Sequence, residues 1–316
     1  MPPSPAYAPA TIHAELGDDF YDPVEAARFP AHVIRWRNRR WDRRVGLDTL
    51  TDAEWIEHFG KFVPLPGGFE GPLALRYHGH QFRSYNPDLG DGRGFLFAQL
   101  RDVEDGRLLD LGTKGSGRTP YHRGADGRLT LKGGVREVLA TEMLEALGVN
   151  TSKSFSLIET GEALQRHDEP SPTRASVHYI TEAARDDEVE QVVAFYEAVS
   201  RRVARMGAQW MAAGFVHGVL NTDNINITGE SFDYGPWRWA PAYNPEFTAA
   251  YFDHSGLYSL GRQPEALMWN LARLGGCLLP LGKEEALQDA LSAFEPELHG
   301  EFVRKVFWRL GLAHRD

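Results

Sequence analysis

A single cysteine, Cys277, in 316 residues leaves no intramolecular disulfide and no cysteine-based zinc cluster to consider. Its neighbours Gly276, Leu278 and Leu279 are small or apolar, so a buried, unreactive thiol is expected there. No apolar run approaches the length that crosses a bilayer, and no membrane partner is expected. The stretch Met1 to Ala10 is rich in Pro and Ala and has neither the basic nor the apolar region of a secretory leader. A reducing, cytoplasmic setting is the expectation that follows. Basic charge is in deficit: 34 Lys and Arg against 44 Asp and Glu leave a net charge of -10, which argues against general binding to nucleic acid. One stretch runs against that balance, Arg35 to Arg44, which interleaves Arg with Trp36 and Trp41. It reads as an Arg-rich helical face with Trp turned inward rather than as a stacking platform for bases.

No internal repeat stands out, and residues 11 to 60 read as helical and loop-rich. From Leu73 the pattern changes to short extended runs. Gly94 to Leu100 predicts a strand, Asp105-Gly106 a hairpin-type turn, and Arg107 to Lys114 the returning strand. A glycine-rich stretch to Gly134 leads into a helix whose apolar positions include Val135, Val138, Leu139, Met143 and Leu147, closed by Gly148. Residues 155 to 187 hold another strand and the loop Glu169-Pro170-Ser171-Pro172. A long amphipathic helix is predicted from about Glu188 to Ala213, with Asp186, Asp187 and Glu188 suited to its positive N-terminus. A short strand, a polar loop, a second strand over Ile225 to Ile227 and an Asp-Tyr-Gly turn follow, and Pro264 opens a further helix. Strands with one helix, followed mostly by helices, predict an α+β chain in which a small β-rich lobe accompanies a larger helical one.

Three features carry chemistry. In Leu89-Gly90-Asp91-Gly92-Arg93-Gly94 the glycines let backbone N–H groups approach phosphate and Arg93 adds a fixed positive charge, although Gly-Asp-Gly is also an ordinary turn. Lys114 ends a strand, and Glu137 on the next helix is placed to orient it, as in the small lobe of kinases; the alternative is a surface lysine and a surface glutamate. Asp126-Gly127 between them either holds ribose and phosphate or simply turns the chain. The strongest signal is His217 to Asn224 followed by Phe232-Asp233-Tyr234-Gly235. Phosphoryl and nucleotidyl transfer need hard oxygen ligands for a divalent metal and a carboxylate beside the attacking hydroxyl, and Asp223, Asn224 and Asp233 are those residue types. His78 and His80 lie two apart but have no third ligand at suggestive spacing, so they are expected to hydrogen-bond rather than hold zinc.

Taken in order, Tyr77-His78-Gly79-His80-Gln81-Phe82, Leu89 to Arg93, Lys114-Gly115-Ser116-Gly117 and Ala125-Asp126-Gly127-Arg128 resemble the selenoprotein O (SelO) family. Arg136-Glu137, Gly214 to Val219, Asn221-Thr222-Asp223-Asn224, Phe232 to Pro236 and Trp269-Asn270-Leu271 extend the resemblance. It implies a protein-kinase-like two-lobed fold that transfers AMP from ATP to Ser, Thr or Tyr hydroxyls of proteins, with Mg²⁺ or Mn²⁺. The implied boundaries are an N-terminal extension over 1–72, a small nucleotide-binding lobe over 73–165 and a larger lobe over 166–316. Gly90, Gly92, Arg93, Lys114, Asp126 and Gly127 become nucleotide contacts and Glu137 the partner of Lys114. Asp223 becomes the base, Asn224 and Asp233 the metal ligands, with Asp233 also near the nucleotide. Two nucleotide-binding arginines of the family have Arg174 and Arg185 as stand-ins in a region that reads as shortened, and the chain is shorter than the usual family length. A kinase transferring the γ-phosphate and a non-catalytic nucleotide-binding pseudokinase are the alternatives.

Overall fold

The computed structural model describes residues 4–183 and 192–312. Its contacts divide the chain into two compact units: residues 1–78, 86–142 and 152–186 in the first, and residues 79–85, 143–151 and 187–316 in the second.

The first unit is built on an antiparallel sheet. In chain order its strands are β1 (Pro9–Ala10), β2 (Tyr21–Pro23), β3 (Val33–Arg37), β4 (Leu73–Gln81), β5 (Ser84–Gly90), β6 (Leu96–Arg101), β7 (Leu108–Lys114), β8 (Leu129–Thr130), β9 (Lys153–Leu164) and β10 (Thr173–Ala183). The spatial order is β2-β4-β6-β7-β10-β9-β3, with β1 on β6, β5 on β4 and β8 on β10. Turn chemistry sets the β6–β7 hairpin: Gly106 takes a φ of +74°, and the Asp102 amide donates to the Arg107 carbonyl at 3.0 Å. The expected strands over 94–100 and 107–114 are therefore both present, each a residue or two shorter at its start.

The helices α1 (Arg39–Arg44) and α2 (Asp52–Phe59) cover one face. Thr51 and Glu54 form a full capping box at the start of α2. Trp55 and Phe59 of α2 stack at 4.2 Å and pack on Phe97, Phe155 and Tyr179 of the sheet. Removing a fully buried Trp from such a cluster costs about 3–5 kcal/mol. The Arg-rich stretch begins as strand β3 rather than as helix, and only then becomes α1. Trp41 is turned inward as expected, and Arg37 is buried against Asp42 at 2.8 Å with its guanidinium 3.9 Å from the Trp55 ring centroid.

Helix α3 (Leu131–Ala146) stops two residues before Gly148, whose φ of +73° turns the chain as expected. Its apolar stripe does not mark its buried face. Val135, Leu139 and Met143 are exposed, whereas Glu137, Val138, Ala140, Thr141 and Leu144 are buried. The buried face includes a carboxylate and a hydroxyl that have partners inside the first unit, and no reading of hydrophobic period registers them.

The second unit is mainly helical: α4 (Val192–Ala213), α5 (Gln263–Leu278), α6 (Glu284–Ser292) and α7 (Phe294–Arg309). Helix α4 packs on the other three; of the stripe expected along it, Val199, Val203, Met206 and Trp210 are buried, while Val192 and Phe195 are half-buried and the neighbouring Tyr196 is buried instead. The acidic positions 186–188 expected at its start lie outside the described residues. Two short strands pair here, β11 (Phe215–Val216) with β12 (Arg238–Trp239). The strand expected over Ile225 to Ile227 is instead a loop, because Asn226 closes a turn on the amide and hydroxyl of Thr228. Cys277 is exposed on α5, not buried, since its apolar neighbours lie around the helix rather than on one inward face. No helix among the described residues is long and apolar enough to cross a membrane.

Candidate active site

The candidate residues divide between the units: Gly90, Gly92, Arg93, Lys114, Asp126, Gly127 and Glu137 in the first, and Asp223, Asn224 and Asp233 in the second.

In the first unit, Lys114 is the last residue of β7, and its Nζ lies 2.5 Å from Glu137 Oε1 on α3. The two side chains are only 14% and 4% exposed, so this is a committed pair rather than a surface contact. The loop after β5 is fastened to the segment that follows Lys114. The Gly115 amide donates to the Arg93 carbonyl at 2.7 Å, and Thr119 donates its hydroxyl to the Asp91 carbonyl. A side chain at Gly90 would lie closer than 3.0 Å to the Tyr121 ring, and one at Gly127 would overlap the Gly117 backbone equally. Glycine at these two positions is thus required by close approach of chain to chain. Arg93 is exposed beside them.

Asp126 takes part in a local network. Its carboxylate accepts from Arg166 at 2.8 Å and from the Arg128 amide at 3.0 Å. Burial raises this carboxyl, but the Arg166 and Arg128 hydrogen bonds outweigh it and hold it below its ordinary range. Behind Gly90, Tyr121 donates to Asp22 at 2.5 Å and accepts from Arg76 at 2.8 Å, a triad with no sequence signal because its members lie 45 and 99 positions apart. Of the two arginine stand-ins, Arg174 pairs with Glu159 at 3.3 Å and is largely exposed; Arg185 lies outside the described residues.

In the second unit, the loop after β11 is fixed residue by residue. His217 is fully buried, donating from Nε2 to the Phe232 carbonyl at 2.8 Å and from its amide to Gln263 Oε1 at 3.0 Å. Asn270 donates to the Leu220 carbonyl at 2.9 Å. Asn221 accepts the Tyr258 hydroxyl at 2.9 Å. Asp223, Asn224 and Asp233 are all half-buried. Asp233 sits in the left-handed region at φ +53°, a conformation that costs a non-glycine residue about 1 kcal/mol or more, and the buried Tyr234 beside it is anchored on Ser231 and Thr151. His80 makes ring contacts with Tyr85 and Trp269, and no group of three or more His, Cys, Asp or Glu that could hold a metal occurs among the described residues.

That donor set suits a magnesium-type ion better than zinc. The Asn224 amide donates to the Val219 carbonyl at 3.0 Å, which leaves its oxygen as an acceptor. Amide and carboxylate oxygens are hard donors, and Mg²⁺ usually takes only one or two protein ligands, filling its shell with phosphate and water.

The family model described as "Protein adenylyltransferase SelO" matches residues 6–184 and 177–316. The chain belongs to the SelO family of protein adenylyltransferases. It is 47% identical to "Protein nucleotidyltransferase YdiU" of Synechocystis, over 97% of this chain and 71% of that protein. To the protein of the same name from Synechococcus elongatus it is 49% identical, over 96% and 68%. A solved structure titled "WaaP in complex with acyl carrier protein" matches 65% of this chain and 85% of its own at 18% identity, with a TM-score of 0.25, too low to bear on the SelO fold.

Proposed function

We propose that this SelO-family chain is an ATP- and metal-dependent protein adenylyltransferase that transfers AMP to Ser, Thr or Tyr hydroxyls of proteins. The nucleotide-binding lobe is read over 73–165, most of it in the sheet-built first unit, and the catalytic lobe over 166–316, most of it in the mainly helical second unit, of a protein-kinase-like fold. The observation that carries the reading is the Lys114–Glu137 pair: a lysine on a strand end, held by a buried helix carboxylate, is the arrangement that aims an ammonium at phosphate.

Lys114 and Arg93 bind phosphate oxygens, and the backbone N–H groups at Gly90, Gly92 and Gly127 add donors to them; Asp126 is the chain neighbour of Gly127. Asn224 and Asp233 would hold the metal, which supplies charge neutralisation on the phosphates when bound. Asp223 accepts the acceptor hydroxyl's proton while its oxygen forms a bond to the α-phosphorus. The bond from that phosphorus to the bridging oxygen breaks, pyrophosphate leaves, and the proton passes from Asp223 to solvent.

Incubation with α-labelled ATP, Mg²⁺ or Mn²⁺ and a protein acceptor tests this. Label enters protein from the α position, not from γ, and EDTA or Asp223→Ala abolishes it. Transfer from the γ position alone makes the chain a kinase, and binding of ATP without transfer makes it a pseudokinase; either overturns the proposal.

A further inference from the structure

The segment Gly79 to Arg83, the turn between β4 and β5, has a conformation that its own residues do not favour. Phe82 and Arg83 both take positive φ, +50° and +64°. A two-residue turn of this kind prefers Asn-Gly, and each non-glycine residue in it costs of order 1 kcal/mol. The strain is offset by contacts within the second unit, and those contacts converge on one short loop. The His80 amide donates to Thr222 Oγ1 at 2.7 Å. The Phe82 amide donates to Asn221 Oδ1 at 2.9 Å. Gln81 Nε2 points at Asp223 Oδ2 from 3.5 Å, the outer limit of a hydrogen bond. Three successive turn residues therefore each meet one of three successive loop residues. A side chain at Gly79 would lie closer than 3.0 Å to Thr222 Oγ1, which explains the glycine there. Phe82 also packs on Phe252 and Tyr258, and Arg83 pairs with Glu265 at 2.8 Å, so the turn is clamped from its far side.

We propose that the Gly79–Arg83 turn is the positioning element for the loop that carries the candidate base, with Thr222 and Gln81 its positioning residues. The inference rests on the adenylyltransferase reading for its kinetic consequence but not for the contact itself. Backbone N–H groups cannot be replaced by rotamer changes, so they fix the loop more rigidly than side-chain pairs would. Gln81 then restricts the Asp223 carboxylate to one orientation. A base displaced by a fraction of an ångström loses rate without any loss of nucleotide affinity.

Thr222→Val and Gln81→Leu are expected to lower kcat for AMP transfer roughly tenfold or more while leaving KM for ATP within about twofold of the wild type. Thr222→Ser, which keeps the acceptor, is expected to restore kcat. A merely structural role would lower kcat, ATP affinity and Tm together without rescue by Thr222→Ser, and that result overturns the proposal, as does wild-type kcat in both variants. Amide hydrogen exchange tests the contact without turnover: the His80 amide is protected in the wild type and exposed in Thr222→Val. Exchange at His80 unaltered by Thr222→Val sinks the inference, whereas a wild type that transfers no AMP but shows the expected exchange sinks only the functional reading.

Discussion

His178 on β10 stands directly opposite Lys114 on β7 in the antiparallel ladder, so the two side chains share one face of the sheet. The histidine is fully buried, and the hydrogen bonds around it decide its tautomer. Thr141 donates its one hydroxyl proton to the Val138 carbonyl at 3.1 Å, so its 2.7 Å contact with Ser154 must be donated by Ser154. Ser154 then has no proton left for His178 Nε2, 2.9 Å away, and the ring must carry its proton there. Nδ1 is left buried without a partner among the described residues.

Burial first, and the charge of Lys114 second, push His178 down to about 3. A base depressed on folding contributes stability that is present above its unfolded value near 6.5 and is lost as pH falls toward about 3. Nitrogen NMR of the ring is expected to report the neutral Nε2–H form down to at least pH 5. Chemical unfolding of His178→Asn should show a flatter acid limb than the wild type between pH 6.5 and 4; parallel limbs would contradict this.

The carboxyl of Asp110 carries the opposite dependence. Burial lifts it to about 6 from an ordinary 3.8, against the partial relief of the Gln99 amide at 2.6 Å. An acid raised on folding stabilises when protonated, so its contribution falls as pH rises from about 4 through about 6, by roughly 3 kcal/mol at most. Asp110→Asn is expected to be more stable than the wild type at pH 7.5 and no more stable at pH 4, as read by urea midpoints at the two pH values.

Lys114 and Glu137 act as one unit. Lys114→Met removes the ammonium that faces the buried Glu137 carboxylate, and Glu137→Gln removes the charge that orients Lys114, each at a cost of roughly 3 kcal/mol in stability. Each single variant is expected to reduce AMP transfer by about two orders of magnitude, and the double variant by little more than either. Multiplicative losses would mean that the two residues act separately.

Gly127→Ala and Gly124→Ala separate two reasons for glycine. Both have positive φ, +71° and +77°, but among the described residues nothing lies within 4 Å of the position a Gly124 side chain would take, whereas a Gly127 side chain would strike the Gly117 backbone. Gly124→Ala is expected to cost about 1 kcal/mol and Gly127→Ala about 2 kcal/mol more, with ATP affinity falling only in the second. Equal Tm losses would remove the close-approach argument.

Sequence alone reached the features that arise locally. Turn glycines at 106 and 148, the alternation of β7, the stripe of α4 and the family motifs from Tyr77 to Leu271 depend on near neighbours along the chain and are legible without coordinates. The pairing of Lys114 with Glu137 was open on the residues alone, against a surface lysine and a surface glutamate, and was implied by the resemblance to the SelO family.

What tertiary structure decided was partnership across long separations. The buried face of α3, the Tyr121–Asp22–Arg76 triad behind Gly90 and the hold of the 79–83 turn on Asn221 and Thr222 are set by groups up to 142 positions apart. Hydrophobic periodicity records which side chains avoid water. It carries no record of which buried polar group will find which distant donor, and at this site that choice sets the geometry.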